Sequence, residues 1–234
     1  MKAVLLDAGL TLLRAEPSLG GVYSMVSRRL GREVPPAEFE RAAEAAFHAQ
    51  AAEHRGAGEA GLRTGEEEER ESWRRHAGRV MGGVPAMAGM DFDAWFEDLY
   101  RDFGSARVWA PFEDAVPALE ALRAMGIRLA VVSNWDRRLH RILEDRGLRP
   151  FFDAVVVSSE VGWRKPHPEI FRRALAALEV LPGEALHVGD SMGDDIGGAA
   201  GAGIRAALLD RRGLRTADGA PVIRDLREIA GLLG

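Results

Sequence analysis

Seven side chains able to do chemistry fall just past short apolar runs. Asp7 follows residues 3–6, and Ser133 and Asn134 follow residues 129–132. Lys165 comes a short loop after residues 155–157, and Asp190, Asp194 and Asp195 follow residues 185–188. Asp7 and Asp190 are hard oxygen ligands, the kind that hold Mg²⁺ together with waters and phosphate oxygens. Ser133 and the backbone N–H groups of a following helix start suit phosphate oxygens. Lys165 offers a compact positive charge, in a chain whose only other lysine is Lys2. Asp7 is then a candidate nucleophile, able to form an aspartyl-phosphate. Phosphoryl transfer needs mostly positioning and charge neutralisation, and this set offers both. Any one of these residues alone reads as a turn or helix cap. All of them on one rim are not explained by capping.

A rim of that kind requires an open parallel sheet, whose strand carboxyl ends lie together at one edge. Five runs, at 3–6, 129–132, 155–157, 185–188 and 206–209, are almost continuously apolar, as strands covered on both faces are. Helical spacing separates the last four: Val116, Leu119 and Leu122, then Leu139, Ile142 and Leu143, then Ile170, Phe171, Leu175 and Leu178. The expected fold class is α/β, a doubly wound parallel sheet of Rossmann-like type. Residues from 14 to about 106 break the rhythm, with no convincing strand and four expected helices at 18–30, 37–54, 66–81 and 92–103. The expected division is a core of residues 1–13 and 107–234 and a helical cap of residues 14–106 inserted after the first strand. Pro35-Pro36 marks a helix start. Thr64 and Glu67 fit a capping box. The acidic run 66–69 reads as a solvated helix start.

Composition closes off other classes. The 234 residues carry a net charge of −5, which argues against a nucleic-acid binder. There is no cysteine, so thiol nucleophiles and cysteine zinc sites are excluded. Asp7 interrupts the apolar start, and no apolar run reaches the roughly 18 residues of a membrane span. A cytoplasmic protein with no membrane partner is expected, and its oligomeric state is open.

The stretches VLLDAGLTLL, VVSN, RKPHPEIF and HVGDSMGDDIGGAAGAG, in that order, resemble the motifs of the haloacid dehalogenase (HAD) superfamily of hydrolases. The resemblance spans the whole expected core, and the helical insert matches the family's cap. It implies Asp7 as nucleophile, Ser133 and Lys165 as phosphate contacts, and Thr11 and Asn134 beside them on the substrate. It also implies a Mg²⁺ site from Asp7, the Gly9 carbonyl, Asp190 and Asp195. Asp194 and Asp195 fill the acidic positions of the last motif, with Asp195 expected to orient Lys165 or a metal-bound water. The implied substrate is a small phosphorylated molecule.

One departure matters. Phosphatases of this family carry a second aspartate, the general acid and base, where this chain has Gly9. Loss of such a group costs about 10²–10⁴-fold in rate. Leu10 also stands where glycine is common. Three readings follow: a phosphatase for leaving groups needing little protonation, such as acyl or aryl phosphates; a 2-haloacid dehalogenase in which Asp7 attacks carbon; and a weakly catalytic ligand-binding homologue. The Asp190 carboxylate favours the first.

Other residues read more plainly. His187 is expected as a packed core histidine and His167 as a loop residue. His48, His54 and His76 lack ligand-like spacing. Asp136 should cap the helix after the second strand. Trp135 and Trp163 suit packing or a substrate stack. Gly20-Gly21 suits a hinge or a helix irregularity.

Overall fold

In the computed structural model, which describes residues 1–217 and 219–233, the apolar runs lie side by side. The chain opens with β1 (Ala3–Leu6) and β2 (Leu13–Ala15). Four helices follow: α1 (Leu19–Arg29), α2 (Pro36–Gly56), α3 (Glu66–Gly82) and α4 (Phe92–Phe103). Then come β3 (Trp109–Pro111), α5 (Ala115–Ala124), β4 (Arg128–Ser133), α6 (Arg138–Asp145) and β5 (Ala154–Val157). The remainder is α7 (Ser158–Val161), α8 (Pro168–Ala177), β6 (Ala185–Gly189), α9 (Gly198–Gly201), β7 (Arg205–Leu209) and β8 (Val222–Ile223).

The larger sheet runs β5-β4-β1-β6-β7-β8 and is parallel throughout. β1 lies between β4 and β6, and the strand order reverses around it, which is where such sheets bind ligands. Leu6 is in register with Val131 on one side and Val188 on the other. Asp7, Ser133 and Asp190 therefore emerge at one edge. Val4 and Leu6 pack into one apolar cluster and Ala3 and Leu5 into another, so both faces of β1 are dry. That is why its sequence is continuously apolar instead of alternating.

The first cluster continues into the four-helix segment. Tyr23 lies 5.6 Å from Phe39, 5.8 Å from Trp95 and 5.5 Å from Phe103, ring centre to ring centre. The Ser18 side chain accepts from Gly21 N–H at the start of α1, and Asp91 does the same for α4. Gly20 lies within α1, where a Cβ would sit 2.2 Å from the Pro36 carbonyl, so it serves the close crossing of α1 over α2. Among the described residues no helix is long and apolar enough to cross a membrane.

Three expectations change. The stretch after residue 14 is not strand-free at its entrance: β2 and β3 pair antiparallel as a two-stranded ribbon where the chain leaves for the helices and returns. Thr64 does not cap α3. Gly65 holds that position without a side-chain bond, and the Thr64 hydroxyl goes to the buried Glu69 carboxylate instead. The acidic run is not simply a solvated helix start, because Glu69 is 5% exposed and Glu69 and Glu66 accept from the Ser158 and Ser159 hydroxyls just after β5.

Candidate active site

Asp7 leaves the end of β1 with its N–H bonded to the Val188 carbonyl of β6 at 3.0 Å. Two donors meet its Oδ1: Ser133 Oγ at 3.0 Å, from the last residue of β4, and Lys165 Nζ at 2.6 Å. Among the described residues no hydrogen bond is made to Oδ2. Lys165 also donates to Asp195 Oδ1 at 2.7 Å and is 3% exposed. An ammonium has three N–H bonds, so one stays available for a further oxygen. The Asn134 amide grips the Lys165 backbone on both sides, accepting from its N–H at 2.6 Å and donating to its carbonyl at 3.1 Å. Asn134 thus carries the lysine, and its amide also lies 3.4 Å from Asp194 Oδ2.

Asp195 is placed by unusual backbone. After β6 the chain turns through a π-helical segment, Met192–Gly197, in which both Asp195 and Ile196 N–H groups bond the Ser191 carbonyl. This brings the carboxylate back over the strand end. A Cβ on Gly189 would lie 2.2 Å from Asp195 Cγ, so only glycine permits the approach. Asp195 is then held by Lys165, by His187 Nε2 at 2.8 Å and by the Ser191 N–H at 2.9 Å. His187 is wholly buried, with its ring edge-on to Phe171. It is a packed core histidine, as its strand position indicates, and also a support for Asp195. Which face of β6 it occupies was not readable from an unbroken apolar run.

Carboxylate oxygens of Asp7, Asp190 and Asp195 lie within 4.8 Å of one another. Their electrostatics differ. Burial pushes the Asp7 carboxyl up, with Asp195 adding to the effect and Lys165 opposing it. Burial, then Asp7 and Asp195, push Asp190 up to about 8. Burial pushes Asp194 up to about 6. Burial works against ionisation of Asp195 as well, but Lys165 and His187 overcome it and hold its carboxyl well below the usual range. Lys165 is held above its ordinary value, because Asp195 and Asp7 outweigh its burial. The site is thus short of positive charge around Asp7 and Asp190, and its donor set of hard oxygens fits a divalent cation.

The loop after Asp7 is tightly turned, with the N–H groups of Leu12 and Leu13 both on the Ala8 carbonyl. Leu10 sits in the left-handed region at φ 59° and is 52% exposed at the rim. Gly9 is not left-handed, and a Cβ there would meet only Trp135 Cζ3, at 3.5 Å. The Thr11 hydroxyl is buried with no partner, and its carbonyl accepts from Arg211 at 2.8 Å. Trp135 is buried against Trp109, ring centres 4.8 Å apart. Trp163 stacks on His167, whose Nδ1 accepts from Glu169 N–H at the start of α8. Asp136 accepts from the Arg138 N–H and also clamps the Arg138 side chain.

The family model of haloacid dehalogenase-like hydrolases matches residues 1–203. The human haloacid dehalogenase-like hydrolase domain-containing protein 3 is 35% identical over 216 residues, covering 92% of this chain and 82% of its own. Phosphoserine phosphatase of Thermus thermophilus is 34% identical over 256 residues, covering 98% of each. The crystal structure of a HAD phosphatase from Thermococcus onnurineus superposes with a TM-score of 0.64 at 30% identity, covering 100% of this chain and 98% of that one.

Proposed function

The chain belongs to the haloacid dehalogenase-like hydrolases, and from that premise we propose a Mg²⁺-dependent phosphatase of a small phosphorylated molecule, with Asp7 as nucleophile and residues 14–106 as its cap. The carrying observation is the asymmetry of Asp7: Ser133 and Lys165 both bond Oδ1, and Oδ2 is left for attack. The phosphatases among its relatives support the same class.

Asp7, Asp190 and the Gly9 carbonyl would hold Mg²⁺, with Asp195 beside them. When bound, the ion neutralises charge on the phosphoryl oxygens and on the carboxylates that face them. Lys165 brings its remaining N–H to a phosphoryl oxygen, and the Ser133 hydroxyl, whose one O–H goes to Asp7 Oδ1, keeps the carboxylate turned for attack. Asp7 Oδ2 attacks phosphorus and the leaving group departs with its electron pair, giving an aspartyl-phosphate that water then hydrolyses. Asp195, fixed by His187 and the Ser191 N–H, keeps the Lys165 ammonium aimed at Asp7. Position 9 offers no proton, so good leaving groups such as acyl or aryl phosphates are preferred over alkyl phosphates. Dehalogenation needs no metal and would leave Asp190, pushed up to about 8, without a task.

Purified protein should hydrolyse an aryl phosphate only with added Mg²⁺, and Asp7→Asn should abolish the turnover while leaving the protein folded. Metal-independent turnover, or halide release from short 2-haloacids, refutes this reading.

A further inference from the structure

Lys165 reaches the rim on a loop that the helical segment grips. The Arg164 N–H donates to the Leu62 carbonyl at 3.0 Å and the Thr64 N–H to the Gly162 carbonyl at 3.1 Å. Arg63 and Trp163 pair between them, with the Arg63 guanidinium 4.5 Å above the Trp163 ring. Beside this short backbone pairing lies a buried charge pair. Arg164 reaches Glu69 Oε1 of α3 at 3.1 Å, with the two side chains 7% and 6% exposed. Arg164 also donates to Thr64 Oγ1 at 3.2 Å and to His54 Nε2 at 2.9 Å. His54 is held neutral, its ring pushed down to about 4 by burial and by Arg164. Glu69 accepts in addition from Thr64 Oγ1 at 2.9 Å and Ser158 Oγ at 2.7 Å.

Such a pair behaves differently from one inside a single rigid core. Removing one partner of a buried pair strands the other charge away from water. Here the partners sit on separate segments, so undocking carries each into solvent and strands neither. The pair therefore ties the start of α3 to the residue before Lys165. Arg164 is also the residue before Lys165, whose backbone is held on the sheet side by Asn134.

We propose that Glu69 and Arg164 form a latch through which seating of the helical segment fixes the Lys165 loop, which makes both of them positioning residues. The link to turnover rests on the phosphatase reading, whereas the latch itself does not. A misplaced reacting group costs about 10²-fold in rate, so Glu69→Gln should lower kcat on an aryl phosphate by about that factor, with a smaller change in KM. Glu69→Asp should restore part of it.

The readout independent of activity is amide hydrogen exchange in the full chain. Glu69→Gln should speed exchange at Thr64, Arg164 and Lys165 and leave the amides of β1 and β4 unchanged. Ser158→Ala, which removes one donor and keeps the charge pair, should give a smaller local change. Unchanged exchange at those three amides overturns the latch, whatever the activity. So does faster exchange throughout the sheet in both variants, and a local change with kcat intact overturns the positioning role of Glu69 and Arg164. Local loosening in a chain whose wild type shows no Mg²⁺-dependent turnover leaves the latch standing and removes the phosphatase reading.

Discussion

A carboxylate placed at position 9 should speed hydrolysis of alkyl phosphates far more than that of aryl phosphates. The structure has room for it. Gly9 does not use the left-handed region, and a Cβ there meets only the edge of Trp135 at ordinary van der Waals distance. Gly9→Asp therefore needs no backbone change. A positioned general acid is worth about 10²–10⁴-fold where the leaving group must be protonated, which is about 3–5 kcal/mol of barrier. An alkoxide needs that proton and a nitrophenolate does not, so the alkyl-to-aryl ratio of kcat/KM isolates the effect from any change in binding. The new carboxylate also enters a site already short of positive charge, where burial pushes Asp7 and Asp190 up. The assay compares nitrophenyl phosphate with an alkyl phosphate at saturating Mg²⁺. If the ratio stays at its wild-type value in a folded, Mg²⁺-dependent variant, the missing proton is not what limits this site.

Two further outcomes follow from the same geometry. In metal-free protein the proton on Asp190 stabilises the fold, since its carboxyl is pushed up to about 8 from an unfolded value near ~4. That contribution is complete below about pH 4 and is lost as pH rises towards about 8, so Mg²⁺, which takes the proton's place, should raise Tm more at pH 8 than at pH 5. Equal gains at both pH values would show that Asp190 is not a ligand. Gly189→Ala puts a methyl where Asp195 Cγ lies 2.2 Å away. Expelling Asp195 from its buried pair with Lys165 should cost about 3–5 kcal/mol in a denaturant titration and remove turnover. A loss under ~1 kcal/mol, within the range of ordinary surface changes, would mean the carboxylate has another seat.

The readable parts of the sequence were those with a repeating physical signal. Each long helix of the insert lies within two residues of its expected bounds, because an amphipathic face repeats over several turns. The five buried strands were legible as apolar runs, and parallel topology then brought Asp7, Ser133, Lys165 and the aspartates to one edge. β2, β3 and β8 have two or three residues each, too few to show a period. Glu69 was hidden for a different reason. An acid in the first turn of a helix already has a local explanation, and its partners Ser158 and Arg164 lie about 90 residues further along the chain. Leu10 was legible only as an absence of glycine, and its left-handed backbone shows what that absence imposes.

Charge balance bears on whether this centre is a working one. Asp7, Asp190 and Asp195 gather three carboxylates around the single ammonium of Lys165, and no other cation among the described residues hydrogen-bonds to those carboxylates. The other groups in contact are the Ser133 hydroxyl, the Ser191 N–H and His187, which is fully buried with one nitrogen unpartnered. With every carboxylate ionised, two negative charges remain uncompensated where Asp7 and Asp195 are buried and Asp190 is half-buried, a cost that apolar residues in their place would remove. A divalent cation would carry the missing charge. Asp190, pushed up to about 8, is where that deficit concentrates, whereas Asp195 is held ionised by its own donors. An ionised Asp190 destabilises the metal-free fold, and a cation or a proton bound there removes that cost. A retained scaffold with no chemistry to perform would gain stability by losing it, so the cost itself argues for a metal-dependent reaction at Asp7.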